Sequence, residues 1–340
     1  MALVLFTGSG ILLLNSCSKK ETFVYTGATP LAFTIPPGFP QPMHDFAARP
    51  LTEEGFALGR KLFYEKRLAK DTLTSCGSCH QPVAAFTTFE HDLSHGVFGS
   101  HTARNAPGIF NLAWYPAFMQ DGGLRNLESV SLEHINSSID MGENTESVVT
   151  KLQKDSIYRT LFKAAYGDET VTSDRLVDAL KQFVLGMVSS NAKYDRVKRG
   201  EANFTTQEQT GYTLFQAKCV SCHKEPLFTD FSYRNTGMAI TSSIKDYGRM
   251  RITKDKNDSL KFRVPSLRNV FFTSNYGHDG RFNSVQAMLR HYRSEVQQSP
   301  TLDPLLVAGI PTTTAEETAL IAFLRTLSDS TFLNNPRYRQ

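Results

Sequence analysis

The chain has 340 residues and a net charge of +4. Its 40% apolar and 21% charged content are ordinary for a globular protein with a real core, and its length is enough for two domains. A charge this mild points away from a nucleic-acid partner.

Taken in order, the chain starts with an apolar run, Met1 to Leu14, too short to span a bilayer. Leu14-Asn15-Ser16-Cys17 follows, with an apolar residue three before the cysteine and a small one just before it. This reads as a lipoprotein signal peptide over 1–16, with Cys17 as the lipidated first residue of the mature chain. The expected location is the periplasmic side of a bacterial membrane. Residues 17–50 hold Pro30, Pro36, Pro37, Pro40, Pro42 and Pro50 and read as a tether or wrapping segment. Thr52 then caps a helix with Glu53 and Glu54 in its first turn. Leu58, Leu62 and Phe63 give it an apolar stripe, and Gly59 marks a place for close packing.

Next comes Cys76-Gly77-Ser78-Cys79-His80, a C-x-x-C-H run of the type that attaches a c-type haem. The two thiols fix the porphyrin and the histidine supplies the proximal nitrogen to iron. The competing readings are half of a zinc site and a redox disulfide. Residues 81–126 form a long irregular stretch with His91, His95 and His101, a candidate distal pocket. Helices are predicted from Leu124 to Ile139, Glu146 to Leu152, Ser156 to Ala165 and Ser173 to Val188.

Thr205-Thr206-Gln207-Glu208 opens a second, slightly shorter copy of the first helix. Thr206, Glu208, Gly211, Leu214 and Phe215 echo Thr52, Glu54, Gly59, Leu62 and Phe63. A second haem signal, Cys219-Val220-Ser221-Cys222-His223, follows it. Residues 224–261 read as loop, and helices are predicted from Val285 to Glu295 and Thr314 to Leu327. No sheet is evident. The fold class is therefore mainly α: two cytochrome c-like domains, over 51–195 and 196–340, each wrapped around one covalent haem. Four of the five cysteines are haem thiols on this reading.

From about residue 50 onward the chain resembles the bacterial di-haem cytochrome c peroxidase family, including its MauG-like branch. The resemblance is carried by Leu58-Gly59-Arg60-Lys61-Leu62-Phe63, Arg104-Asn105-Ala106-Pro107, Pro226-Leu227-Phe228-Thr229-Asp230, Asn235-Thr236-Gly237, Val264-Pro265-Ser266-Leu267-Arg268-Asn269-Val270 and His278-Asp279-Gly280. It implies reduction of hydrogen peroxide at the N-terminal haem. Electrons would come from a small donor protein, a cytochrome c or cupredoxin, and enter at the C-terminal haem. It also implies a calcium ion held by Asn105, Thr273 and Asn275. The family's distal histidine falls on Val97, with His95 and His101 nearby as substitutes. Its distal glutamine falls on Val130, its distal glutamate on Asp140, and its inter-haem tryptophan on Gln120. The sixth ligand of the C-terminal haem falls on Tyr292, as in the MauG-like branch, with Met288 and His291 as rivals. Two further readings stand beside peroxide reduction: oxidation of another substrate in the MauG manner, and a non-enzymatic di-haem electron carrier.

Two C-x-x-C-H runs predict two covalent haems. Haem staining after denaturing electrophoresis should be positive, and the intact mass should equal the polypeptide plus two haems. A mass fitting one haem or none would sink this reading.

Overall fold

The computed structural model describes residues 25–340, so the signal peptide and Cys17 lie outside the described residues. Its helices are α1 (Glu53–Phe63), α2 (Cys76–Cys79), α3 (Leu127–Asn136), α4 (Thr145–Gln153), α5 (Ser156–Tyr166), α6 (Ser173–Leu185), α7 (Lys193–Lys198), α8 (Thr206–Lys218), α9 (Met250–Thr253), α10 (Val285–Arg290), α11 (Thr314–Arg325) and α12 (Ser330–Leu333). Helix accounts for 41% of the structure, and the mainly α expectation holds. Two small antiparallel ladders were not expected. β1 (Pro30–Leu31) pairs with β2 (Leu51–Thr52), and β3 (Tyr233–Arg234) with β4 (Phe262–Arg263). Each strand is two residues long, too short for a period-2 pattern to show in the sequence.

Helix starts follow the capping chemistry. The Thr52 hydroxyl accepts from Gly55 N. Thr205 and Glu208 form a reciprocal capping box. Helix bounds differ from expectation by a residue or more: α4 and α5 run slightly past the predicted ends, while α3, α6 and α11 fall short. α3 begins at Leu127 because Asn126 caps it by accepting from Ser129 N. The predicted helix from Val285 to Glu295 is α10 followed by a π-turn over His291–Glu295.

The internal repeat has a physical basis. A Cβ on Gly59 would collide with the Ala179 carbonyl oxygen and come within 2.9 Å of Phe183 Cβ. A Cβ on Gly211 would collide with the Ala319 carbonyl oxygen and come within 2.9 Å of Phe323 Cβ. Helix α1 therefore crosses α6 as α8 crosses α11, backbone against backbone at a glycine. Rings extend both crossings: Phe63 lies 5.2 Å from Phe183, and Phe215 lies 5.1 Å from Phe323. Each crossing is embedded in its own buried cluster, one in the first half and one in the second.

A third cluster, around Trp114, ties in the N-terminal wrapping segment. Trp114 Nε1 donates to the Pro40 carbonyl at 2.8 Å, and Phe33 and Phe39 pack on its ring. The chain's end returns to the first half, where Phe332 and Tyr338 join its core. A buried ion pair fastens the second half to α7: Arg268 grips Asp195 through two hydrogen bonds of 2.9 and 2.7 Å.

Gly59→Ala and Gly211→Ala should each destabilise the fold. Helix propensity favours the change by about 1 kcal/mol, but overpacking against a backbone carbonyl costs about 1–3 kcal/mol or more. Thermal denaturation of the haem-loaded protein would show it; two unchanged melting temperatures would refute the crossing geometry.

Candidate haem centres

His80 stands at the end of α2, and His223 directly follows α8 and its two cysteines. Both imidazoles are held in the same way. His80 Nδ1 donates to the Phe86 carbonyl at 3.0 Å, and His223 Nδ1 donates to the Phe228 carbonyl at 3.1 Å. A carbonyl only accepts, so the proton sits on Nδ1 and the Nε2 lone pair is bare. Among the described residues neither Nε2 has a hydrogen bond like the one its Nδ1 makes. Phe86 and Phe228 are both left-handed, with φ of +62° and +55°, a conformation costing about 1–2 kcal/mol for a residue with a side chain. Their rings lie 6.0 Å from Phe63 and 5.6 Å from Phe215, residues of the crossing helices. Pro107 and Pro265 present carbonyls to His80 and His223 respectively. Burial pushes the His80 imidazole down to about 4 and lowers His223 as well.

The four cysteines are free thiols, not disulfides. Burial pushes Cys76 up to about 12 and Cys79 to about 11. Among the described residues no group of three His, Cys, Asp or Glu is arranged to hold a metal ion. Paired thiols next to a histidine with a bare Nε2 fit a covalently attached haem better than zinc or a redox disulfide.

Val97 is 2% exposed and belongs to the core of the first half. Its N–H donates to the carbonyls of both Ile139 and Asp140, at 3.1 Å each. Asp140 Oδ2 accepts from His134 Nδ1 at 3.1 Å. Burial disfavours the Asp140 charge, but hydrogen bonds from His134 and Ser137 more than offset it and hold its carboxyl below the usual range. His134 and Asp140 are both within electrostatic reach of His80. Sequence reading missed His134, because a lone histidine in the last turn of a helix carries no signal until the following turn brings Asp140 back to it. His95 and His101 are placed differently. Both are exposed, across an antiparallel bridge, with rings 4.5 Å apart and the His91 ring tilted 4.4 Å from that of His95. The charges that reach His95 are those of His91, His101 and Asp92. Val130 packs at the edge of the Trp114 cluster.

At the second site, Tyr292 lies in the π-turn. Burial raises its phenol first, with further contributions from Cys219 and Cys222, so it faces the second pair of thiols. Its hydroxyl makes no hydrogen bond among the described residues. His291 is 3% exposed, and its Nε2 is engaged with the Thr236 carbonyl at 2.9 Å.

Between the sites, Asn105 N donates to the His278 carbonyl at 2.9 Å. The Asn105 amide donates to the carbonyls of His91 and Asp92 at 3.2 and 2.9 Å, which leaves Oδ1 as its free end. Gln120 Nε2 donates to the Asn105 carbonyl at 2.8 Å, and Gln120 Oε1 is buried without a partner. Thr273 and Asn275 lie on the same seam: Thr273 Oγ1 donates to Thr88 O at 3.2 Å, and the Asn275 amide donates to Gly280 O at 2.8 Å. Arg104 bridges Asp121 and Asp246 across it.

Fold and sites together define a c-type cytochrome with two haem stations. The sequence profile of the di-haem cytochrome c peroxidases matches residues 53–203. The chain is 30% identical over 302 residues to the methylamine utilization protein MauG of Methylophilus methylotrophus, covering 87% of both. It is 30% identical to the cytochrome c551 peroxidase of Nitrosomonas europaea, covering 83% of this chain and 82% of that one. The crystal structure of a MauG-like protein associated with microbial copper homeostasis superposes with a TM-score of 0.84 at 30% identity, covering 91% and 98%. The chain belongs to the di-haem cytochrome c peroxidase and MauG family, an oxidoreductase family with two c-type haems.

Proposed function

We propose that this protein reduces hydrogen peroxide at its N-terminal haem site with electrons taken from a small redox protein, a cytochrome c or cupredoxin, at its C-terminal site. The observation that carries this reading is the Asp140 carboxylate, hydrogen-bonded to His134 within electrostatic reach of His80. Cys76, Cys79 and His80 would hold one haem, and Cys219, Cys222 and His223 the other. When bound, the haems supply two one-electron centres that match one-electron donors to a two-electron substrate.

The protein residues divide the remaining work. The carbonyls of Phe86 and Phe228 hold the proximal imidazoles in the tautomer that presents Nε2. Val97 offers no ligating atom, so peroxide can approach from its side. Asp140 serves the acid–base chemistry that moves a proton between the peroxide oxygens. The O–O bond breaks, two electrons and two protons are taken up, and two waters leave. His95 and His101, exposed beside the Val97 loop, stand at its entrance. Asn105 Oδ1 and the carbonyls of Thr273 and Asn275 are proposed as calcium ligands, an all-oxygen set of the kind calcium prefers. A lipid on Cys17 would keep the protein at the periplasmic face of a membrane.

Tyr292 supports a second reading, a MauG-like oxidase. A phenolate is a hard anionic ligand that favours ferric iron, unlike the methionine of donor-fed peroxidases.

Two measurements test these assignments. Peroxide consumption with a reduced small cytochrome should be readily measured, and Asp140→Asn should slow it by about 10²–10⁴-fold. An unchanged rate would remove Asp140 from the chemistry. Tyr292→Phe should abolish the low-spin paramagnetic signal of the C-terminal haem. If that signal persists, Tyr292 is not its ligand.

A further inference from the structure

We propose that His134 is the group that carries the peroxide proton, and that Asp140 acts by orienting it. The inference rests on the peroxidase reading above and names the proton carrier within it. The geometry is that of an imidazole backed by a carboxylate. His134 lies in the last turn of α3, and Asp140 in the tight turn that follows. That turn is locked. Ser137 Oγ accepts from Ile139 N and Asp140 N at 3.3 and 3.2 Å, and Gly142 N donates to Ser137 O at 2.7 Å. Val97 N closes it from outside through the carbonyls of Ile139 and Asp140. The carboxylate is therefore fixed before any ligand arrives.

Asp140 Oδ2 receives His134 Nδ1, which places the imidazole proton on Nδ1. Nε2 is then a bare acceptor, and among the described residues it has no hydrogen-bond partner. The His134 side chain is 36% exposed and that of Asp140 26%, so a molecule as small as peroxide can reach the pair. The chemistry favours the imidazole over the acid. The imidazole gives up only Nδ1 to the carboxylate and keeps a second ring nitrogen for a proton, whereas the Asp140 oxygen that faces it is already engaged. His134 Nε2 would take the proton from the inner peroxide oxygen and return it to the outer one. The O–O bond breaks and the outer oxygen leaves as water. Two electrons from the donor protein and two protons from solvent turn the inner oxygen into the second water.

The test uses the haem-loaded full chain and two readouts. His134→Gln should slow peroxide turnover by about 10²–10⁴-fold. It should also slow cyanide association with the N-terminal haem at least about tenfold, because hydrogen cyanide must lose its proton to bind. Haem absorption and the melting temperature should be unchanged. Asp140→Asn should slow both reactions, and Asp140→Glu should restore much of the loss. If His134→Gln reacts with peroxide and cyanide at wild-type rates while Asp140→Asn is slow, Asp140 acts without His134 and the proposal falls. If the wild-type protein consumes no peroxide, the peroxidase reading falls instead, and cyanide association in the two variants still decides the role of His134.

Discussion

Two helix crossings at glycine set the frame on which both haem stations depend. At Gly59 and at Gly211 one helix backbone rests on the carbonyl of another. That contact brings Phe63 against Phe183 and Phe215 against Phe323. The same aromatic layers receive Phe86 and Phe228, and these two residues turn their carbonyls onto the histidine Nδ1 atoms. A left-handed phenylalanine is costly by itself. The buried ring stabilises it by more than the backbone loses, since full burial of a phenylalanine contributes about 1.5–3 kcal/mol. The tautomer of each proximal histidine thus traces back, contact by contact, to a missing Cβ.

The two halves are joined by buried polar groups as well as by the aromatic residues of the chain's end. Arg268 is fully buried against Asp195, stacks its guanidinium 4.8 Å from the Phe39 ring, and donates to the Pro226 carbonyl. Asp329 accepts from Ser189 Oγ, Ser190 N and Asn191 N at 3.1, 3.0 and 2.9 Å. Buried pairs of this kind add little net stability, but breaking one costs about 3–5 kcal/mol. They act as registration pins. The order they impose reaches the seam between the haem stations, where Asn105, Gln120 and His278 are linked through backbone carbonyls.

The repeat ends at the distal faces. The first half holds a polar pair, Asp140 and His134, in a turn whose carbonyls are bonded by Val97 N. The second has a tyrosine brought in by a π-turn, a local change of helix register of a kind frequent at functional sites. The two halves therefore share their crossings and their histidine supports but differ in the side chains that stand near them.

The sequence by itself carried the two C-x-x-C-H runs and determined the mainly helical class, the N-cap at Thr52 and the equivalence of Gly59 with Gly211; the second cap falls on Thr205, one residue before the Thr206 that the repeat matches to Thr52. All of these are local signals: a five-residue motif, a 3.6-residue period, a capping pattern and a repeated short segment. It also pointed to Asp140 and Tyr292 through a family pattern, without giving their surroundings. Only the tertiary structure decided which groups stand beside them. His134 meets Asp140 because the turn after α3 folds back, and His291 is consumed by the Thr236 carbonyl 55 residues away in the chain. The exposure of His95 and His101 and the two-residue strands were decided at the same level. These outcomes depend on long-range packing and on a single change of helical register, and neither leaves a periodic trace in the amino-acid order.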